Sequence, residues 1–321
     1  MPRTIDDFSL EQLKEYRGIN PRPADFDAFW KQALAELDSE APEVELVSAD
    51  FQCRTAVCHH LYFNGTGGAR IHAKLLRPRQ AKDPGPAILK FHGYGSGSGD
   101  WSDHLNYVGE GFTVAALDVR GQGGLSQDTV VTTGWTKQGQ FVRGLDDPPE
   151  KLFFRHAYLD TVQLARIVMS LPEVDPERIG AMGGSQGGGL TLACAALEPR
   201  IRQAAPTFPF LSDFQRTWEL NLDKGAYQEL RDYFRRFDPL HKREYQIFEK
   251  LGYIDVHHLS PRITAEVLFS ITLLDEICPP STQFAAYNNI SSPKTADIYP
   301  DFAHENLPEH NDRVFQFMNK L

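Results

Sequence analysis

Residues 178–197 read Arg178-Ile179-Gly180-Ala181-Met182-Gly183-Gly184-Ser185-Gln186-Gly187-Gly188-Gly189-Leu190-Thr191-Leu192-Ala193-Cys194-Ala195-Ala196-Leu197. A short apolar run leads into a G-x-S-x-G turn, and a stretch of good helix formers follows it. Strand, sharp turn and helix in that order are the context of a nucleophile elbow. The serine of such a turn occupies a strained backbone position, so its neighbours have to be small. The helix that starts after it points amide N–H groups at developing negative charge. Ser185 is the candidate nucleophile.

Outward from the elbow, short apolar runs alternate with helical stretches. The runs are Ala87 to His92, Phe112 to Asp118, Arg178 to Met182 and Val267 to Thr272, with helices expected over 157–170 and 187–197. Buried strands alternating with helices imply a mostly parallel sheet flanked by helices. Residues 43–63 and 69–77 read as strands, and Asn64-Gly65-Thr66-Gly67-Gly68 between them is a hairpin signal. The expected architecture is α/β, an α/β-hydrolase fold in one domain spanning 1–321. It carries an N-terminal helical extension (1–40), with helices over 8–16 and 25–38, the second turning Phe26, Phe29, Trp30, Ala33, Leu34 and Leu37 to one face. Residues 210–258, rich in charges and aromatics, read as a helical insertion covering the carboxyl end of the sheet.

A serine hydroxyl is a weak nucleophile and requires a base held by a carboxylate. In this fold the chain order is Ser, then Asp or Glu, then His. Asp275 directly follows the apolar strand and precedes Cys278-Pro279-Pro280, at the strand end expected to share an edge with the elbow. Glu276 is its nearest rival; Asp297 and Asp301 lie too close to the histidine loop. His304 sits in Tyr299-Pro300-Asp301-Phe302-Ala303-His304-Glu305, between the strand-like 294–299 and a terminal helix over 309–320. His310 reads as a surface residue of that helix, and His241, His257 and His258 belong to the insertion. The oxyanion hole needs two backbone donors. Gln186 supplies one, and Tyr94, in His92-Gly93-Tyr94-Gly95-Ser96-Gly97-Ser98-Gly99, is the expected second.

The chain has 321 residues and a net charge of −10, a balance that both nucleic acid and anionic membrane would repel. Its four cysteines do not make a disulfide framework. The first residues lack the apolar core of a signal peptide and no stretch is long enough to span a bilayer, so a cytoplasmic location is expected. Cys53, Cys58, His59 and His60 are the one constellation that suggests a metal. They lie in a strand-like run where adjacent histidines face opposite ways, and no metal or cofactor is expected.

At these residues the chain resembles the acetyl xylan esterase/cephalosporin C deacetylase family, carbohydrate esterase family 7. Arg120-Gly121-Gln122, Gly183-Gly184-Ser185-Gln186-Gly187 and His304-Glu305 appear in order. Phe91-His92-Gly93-Tyr94, Asp232 to Pro239 and Cys278 to Thr282 are similar too. The resemblance implies Ser185, Asp275 and His304 as the triad, the Tyr94 and Gln186 amides as the oxyanion hole, and a structural role for Arg120. It also implies deacetylation of xylo-oligosaccharides and cephalosporins by an intracellular homo-hexamer. Departures are Gly95-Ser96-Gly97-Ser98 after Tyr94, Asn306-Leu307 after Glu305, and residues 137–150. Two other functions fit the same motifs: a prolyl-oligopeptidase-like peptidase, and a non-catalytic binding protein on the same fold.

Overall fold

In the computed structural model, described for residues 5, 7–39, 41–51, 53–80, 83–134, 136, 140–222 and 224–321, nine strands form one sheet. They are β1 (Val44–Ser48), β2 (Ala56–Asn64), β3 (Arg70–Pro78), β4 (Gly85–Phe91), β5 (Thr113–Leu117), β6 (Val174–Gly184), β7 (Gln203–Thr207), β8 (Glu266–Thr272) and β9 (Lys294–Tyr299). The spatial order is β1-β2-β3-β5-β4-β6-β7-β8-β9. The first three strands and the β3–β5 pair are antiparallel; from β5 onward every neighbour is parallel. The expected order of hairpin first and parallel units after is what forms. The run 43–63 divides into two strands, β1 and β2, which pair antiparallel.

Strands β4, β5 and β8 are largely buried on both faces, which is why they read as unbroken apolar runs. All five residues of β5 and the last six of β8 are buried. Helices Phe153–Met169 and Gln186–Leu197 pack on one another across one face. Every residue of the second is buried, consistent with its run of Gly, Ala and Leu. The first begins four residues before its expected start, because Phe153, Phe154 and Arg155 are buried with the rest of that helix.

The N-terminal segment forms helices Leu10–Glu15 and Phe26–Ser39. Ser9 caps the first in a reciprocal box with Gln12. The second buries Phe26, Phe29, Trp30 and Ala33, and Trp30 Nε1 donates to the carbonyl of Tyr253 at 2.9 Å. This extension therefore docks on the insertion, which runs as helices Phe214–Glu219, Gln228–Phe237, Glu244–Leu251 and Val256–Leu259 between β7 and β8. Among the described residues no helix is long and apolar enough to cross a membrane.

Register brings the strand ends together. Phe91 stands opposite Gly183, Gly184 opposite Thr207, and Thr272 opposite Tyr299. The segments that leave these residues are the loop 92–99, the elbow, the start of the insertion, the Asp275 turn and the His304 loop. All five emerge on one edge of the sheet.

Candidate active site

Ser185 has φ 57° and ψ −120°, a conformation that L residues seldom adopt and that persists only when the surroundings over-determine it. Here they do. The Ser185 amide donates to the Thr207 carbonyl at 3.0 Å, and the Ser185 carbonyl accepts from Phe210 and Gly189 at 3.0 and 3.1 Å. The flanking glycines are a steric requirement. A Cβ on Gly183 would lie 2.5 Å from the Phe91 carbonyl oxygen, and one on Gly187 only 2.1 Å from it.

Asp275 is fully buried. Its Oδ1 accepts from the amides of Ile277 and Cys278, both at 2.8 Å. Its Oδ2 meets His304 Nδ1 at 2.7 Å and accepts from Thr272 Oγ1 at 3.4 Å. Two amides thus fix the carboxylate with one oxygen facing the imidazole. The His304 loop is tied to the same turn, since the Leu274 amide donates to the Phe302 carbonyl at 3.0 Å. The Phe208 ring packs on the His304 ring with centroids 4.5 Å apart. Glu276, the rival acid, is half exposed and pairs with Lys224; Asp297 pairs with Arg313.

Ser185 and His304 line one cavity of about 970 Å³, together with Tyr94, Phe210 and Ile277 and with Glu229 and Asp232 of the insertion. The fully buried thiol of Cys278 lies within 4.8 Å of the Asp275 carboxylate and the His304 ring. Burial, reinforced by the charge of Asp275, pushes that thiol well above its ordinary range, so it stays protonated and is a poor nucleophile.

The two expected oxyanion elements are joined by a residue whose role the motif alone did not reveal. The Gln122 and Gln186 carboxamides pair reciprocally, Gln122 Nε2 to Gln186 Oε1 at 2.7 Å and Gln186 Nε2 to Gln122 Oε1 at 3.0 Å. The Gly95 amide donates to Gln122 Oε1 at 2.9 Å. His92 is fixed as well: its Nε2 accepts from the Val119 amide at 3.0 Å, leaving Nδ1 to donate to the Gly93 carbonyl at 2.8 Å. Tyr94's phenol donates to Glu229. Burial pushes the Glu229 carboxyl up to about 7, against the opposing pull of that phenol and of the Gln140, Phe141 and Val142 amides.

Arg120 is fully buried and makes a two-pronged ion pair with Asp160 at 2.7 and 2.6 Å, with further contacts to Thr66. It braces the loops behind the elbow and does not line the cavity. His310 corrects the surface assignment. Its Nε2 lies 3.0 Å from Thr207 Oγ1 and its Nδ1 3.1 Å from Ser270 Oγ, so it bridges β7 and β8 beneath the elbow. The signal available was a small hydroxyl residue on each strand, Thr207 and Ser270, but nothing local joins the three.

Cys53, Cys58, His59 and His60 do not converge. His60 pairs with His72 at 2.8 Å, and Cys53 contacts Thr55 at 3.0 Å. Among the described residues, the one gathering of His, Cys, Asp or Glu ligand atoms within 4.8 Å is Asp275, Cys278 and His304. Of the 137–150 segment, residues 137–139 lie outside the described residues. Gln140 and Arg143 line the cavity.

The sheet order, the elbow and the edge on which the loops gather define an α/β-hydrolase. Acylaminoacyl peptidase of Pyrococcus horikoshii shares that fold, at 17% identity and a TM-score of 0.58 over 84% of this chain and 42% of its own. The acetyl xylan esterase (AXE1) family model matches residues 3–321, and the chain belongs to that family. Acetyl xylan esterase 1 from Thermoanaerobacterium sp. JW/SL YS485 is 55% identical, with a TM-score of 0.96 over 98% of this chain and 99% of its own. An acetyl xylan esterase from Paenibacillus sp. R4 is 37% identical, with a TM-score of 0.92 over 98% and 99%. Acetyl esterase Axe7A of Xylanibacter ruminicola is 29% identical over 319 residues, 98% of this chain and 70% of that protein. The chain is a carboxylic ester hydrolase, and the peptidase and non-catalytic readings give way to that family membership.

Proposed function

We propose that this enzyme removes acetyl groups from short acetylated xylo-oligosaccharides and from cephalosporin-type esters, with Ser185 as nucleophile, His304 as base and Asp275 as the orienting acid. The observation that carries the reading is the 2.7 Å contact between Asp275 and His304 Nδ1 at the rim of the cavity that also holds Ser185. With Nδ1–H held by the carboxylate, Nε2 is left as the acceptor. It takes the Ser185 proton as the hydroxyl oxygen attacks the acetyl carbonyl. The carbonyl oxygen becomes an oxyanion, received by the Tyr94 and Gln186 amides. His304 then returns the proton to the departing sugar oxygen. Water, deprotonated by the same imidazole, attacks the acetyl-enzyme and releases acetate. Fully buried, Asp275 stabilises the transient imidazolium at short range.

The Ser185→Ala enzyme should lose about 10⁴-fold or more in kcat on 4-nitrophenyl acetate and all labelling by a fluorophosphonate. Near wild-type turnover in that variant rejects the assignment. A series of esters from acetate to octanoate, with acetylated xylobiose and a 3-acetoxymethyl cephalosporin, tests the substrate range. A preference for octanoate overturns the acetyl reading. The resemblance to carbohydrate esterase family 7 supports a cytoplasmic homo-hexamer, for which light scattering at working concentration is the measurement. A monomer there removes the hexamer from the proposal.

A further inference from the structure

Glu229 is an ionisable group that the proposed reaction does not use, yet it is 8% exposed and lines the reaction cavity. It stands at the start of the insertion helix Gln228–Phe237. Its Oε2 accepts from the Gln140 amide at 2.6 Å, and its Oε1 accepts from the phenol of Tyr94. The same Gln140 amide also lies 3.2 Å from the Tyr94 hydroxyl. Three chain segments distant in sequence therefore meet at one carboxylate: the loop after β4, the stretch from Gln140, and the insertion.

Tyr94 sits in a turn that hydrogen bonds, not packing, hold in place. It is flanked by Gly93 and Gly95, the least restrained residues for a backbone. A Cβ on either glycine would find no atom within 4 Å, so no packing confines the turn there. Gly95 is held by Gln122 on one side. On the other, the Gly93 carbonyl, which shares a peptide plane with the Tyr94 N–H, accepts from His92 Nδ1 at 2.8 Å and from the Ser96 amide at 3.2 Å, so the Tyr94 side chain is the remaining tie, at the Cα end of that plane. The ring packs edge-on against Phe210 at 5.6 Å, which restrains its plane and leaves the hydroxyl as the point of attachment.

We propose that Glu229 is a positioning residue for the oxyanion hole: by clamping the Tyr94 phenol it completes the set of ties that hold the Tyr94 amide in place, so that the helical insertion influences the acyl-transfer step as well as covering it. This rests on the Tyr94 assignment made above. A positioning role affects the tetrahedral state, where the donor is used, and leaves ground-state binding alone.

The test uses Glu229→Ala, Tyr94→Phe and their combination in the full-length enzyme. Each single variant should lower kcat on 4-nitrophenyl acetate about 10- to 100-fold with KM within about threefold. The double variant should be no worse than the poorer single one, because both remove the same link. Affinity for an alkyl boronic acid, which forms a tetrahedral adduct on the nucleophile, should weaken by the same factor as kcat. Glu229→Gln, whose carboxamide still pairs with the phenol, should recover most of the loss. Tyr94→Phe removes a single oxygen and carries the test if Glu229→Ala does not fold. Additive losses, a rise in KM with kcat intact, or wild-type kcat in Tyr94→Phe each overturn the proposal. Failure of the underlying reading is separately visible, as an active Ser185→Ala enzyme or absent boronate adduct.

Discussion

Replacing Asp275 by Asn is the sharpest test of the proposed base, because the structure dictates how the new side chain must sit. The Asp275 Oδ1 accepts from two amides at 2.8 Å, those of Ile277 and Cys278. An asparagine that turned its NH₂ toward them would leave two buried N–H groups unpaired, at about 1–3 kcal/mol each. Its carbonyl therefore keeps that place and its NH₂ faces His304. The carboxamide then donates to Nδ1, where the carboxylate accepted. The imidazole is driven to the tautomer with its proton on Nε2, which cannot take a proton from Ser185. Loss of the correct tautomer in a triad costs about 10⁴-fold, equivalent to about 5 kcal/mol of activation free energy. Steady-state kinetics on 4-nitrophenyl acetate should show that fall in kcat with KM nearly unchanged, in a protein whose melting temperature stays close to wild type. Glu276→Gln is the control. Its carboxylate is half exposed beside Lys224, so its kcat should stay within about threefold. An Asp275→Asn enzyme within tenfold of wild type, or a Glu276→Gln enzyme that is the more damaged, refutes the reasoning.

Gly187→Ala would drive a methyl to 2.1 Å from the Phe91 carbonyl oxygen; backbone has to move, so stability should fall by about 1–3 kcal/mol or more, and an unchanged urea midpoint would contradict the packing described. Asp160→Ala leaves the fully buried Arg120 guanidinium without its two-pronged partner and should cost about 3–5 kcal/mol, read as a lowered denaturation midpoint; a loss under about 1 kcal/mol would mean that Asp128, 3.9 Å away, takes over. Acid should destabilise the fold through two buried imidazoles. Burial, helped by Lys90 and by Arg120 and Arg155 respectively, holds His104 down at about 4 and His156 at about 3. The unfolded chain takes up these protons near 6.5 and the folded one does not. Stability is therefore full above that value and lost as pH falls toward 4, by up to about 3 kcal/mol per pH unit. A denaturation midpoint flat between pH 6.5 and 4.5 would show that the two imidazoles do not have this effect.

The elbow was legible because its requirements are local. A serine at φ 57° needs small neighbours, and that need is written in adjacent letters. The alternation of apolar runs with helices likewise follows from strands buried on both faces. β7 was not legible, because Gln203-Ala204-Ala205-Pro206-Thr207 carries small side chains and a proline, which argues against a central strand. Its pairing with β6 and β8 is tertiary in origin. Gln122 was visible as part of Arg-Gly-Gln, but its partnership with Gln186 joins positions 64 apart. Glu229 and His310 were missed for the same reason. Each acts by closing hydrogen bonds between segments brought together only by the sheet, and no spacing within a helix reports what its residues will face.

The reciprocal pairing of Gln122 and Gln186 has a practical side. Carboxamides do not titrate and their hydrogen bonds are barely screened by salt, so the spacing across this joint should hold wherever the fold itself survives. Its weakness is chemical ageing. Deamidation of either side chain would replace a donor by a second acceptor, set two oxygens against each other and place a full negative charge beside the very cavity where an anion has to form. Slow loss of activity on storage, accompanied by a one-dalton gain at either glutamine, would be the trace such damage leaves.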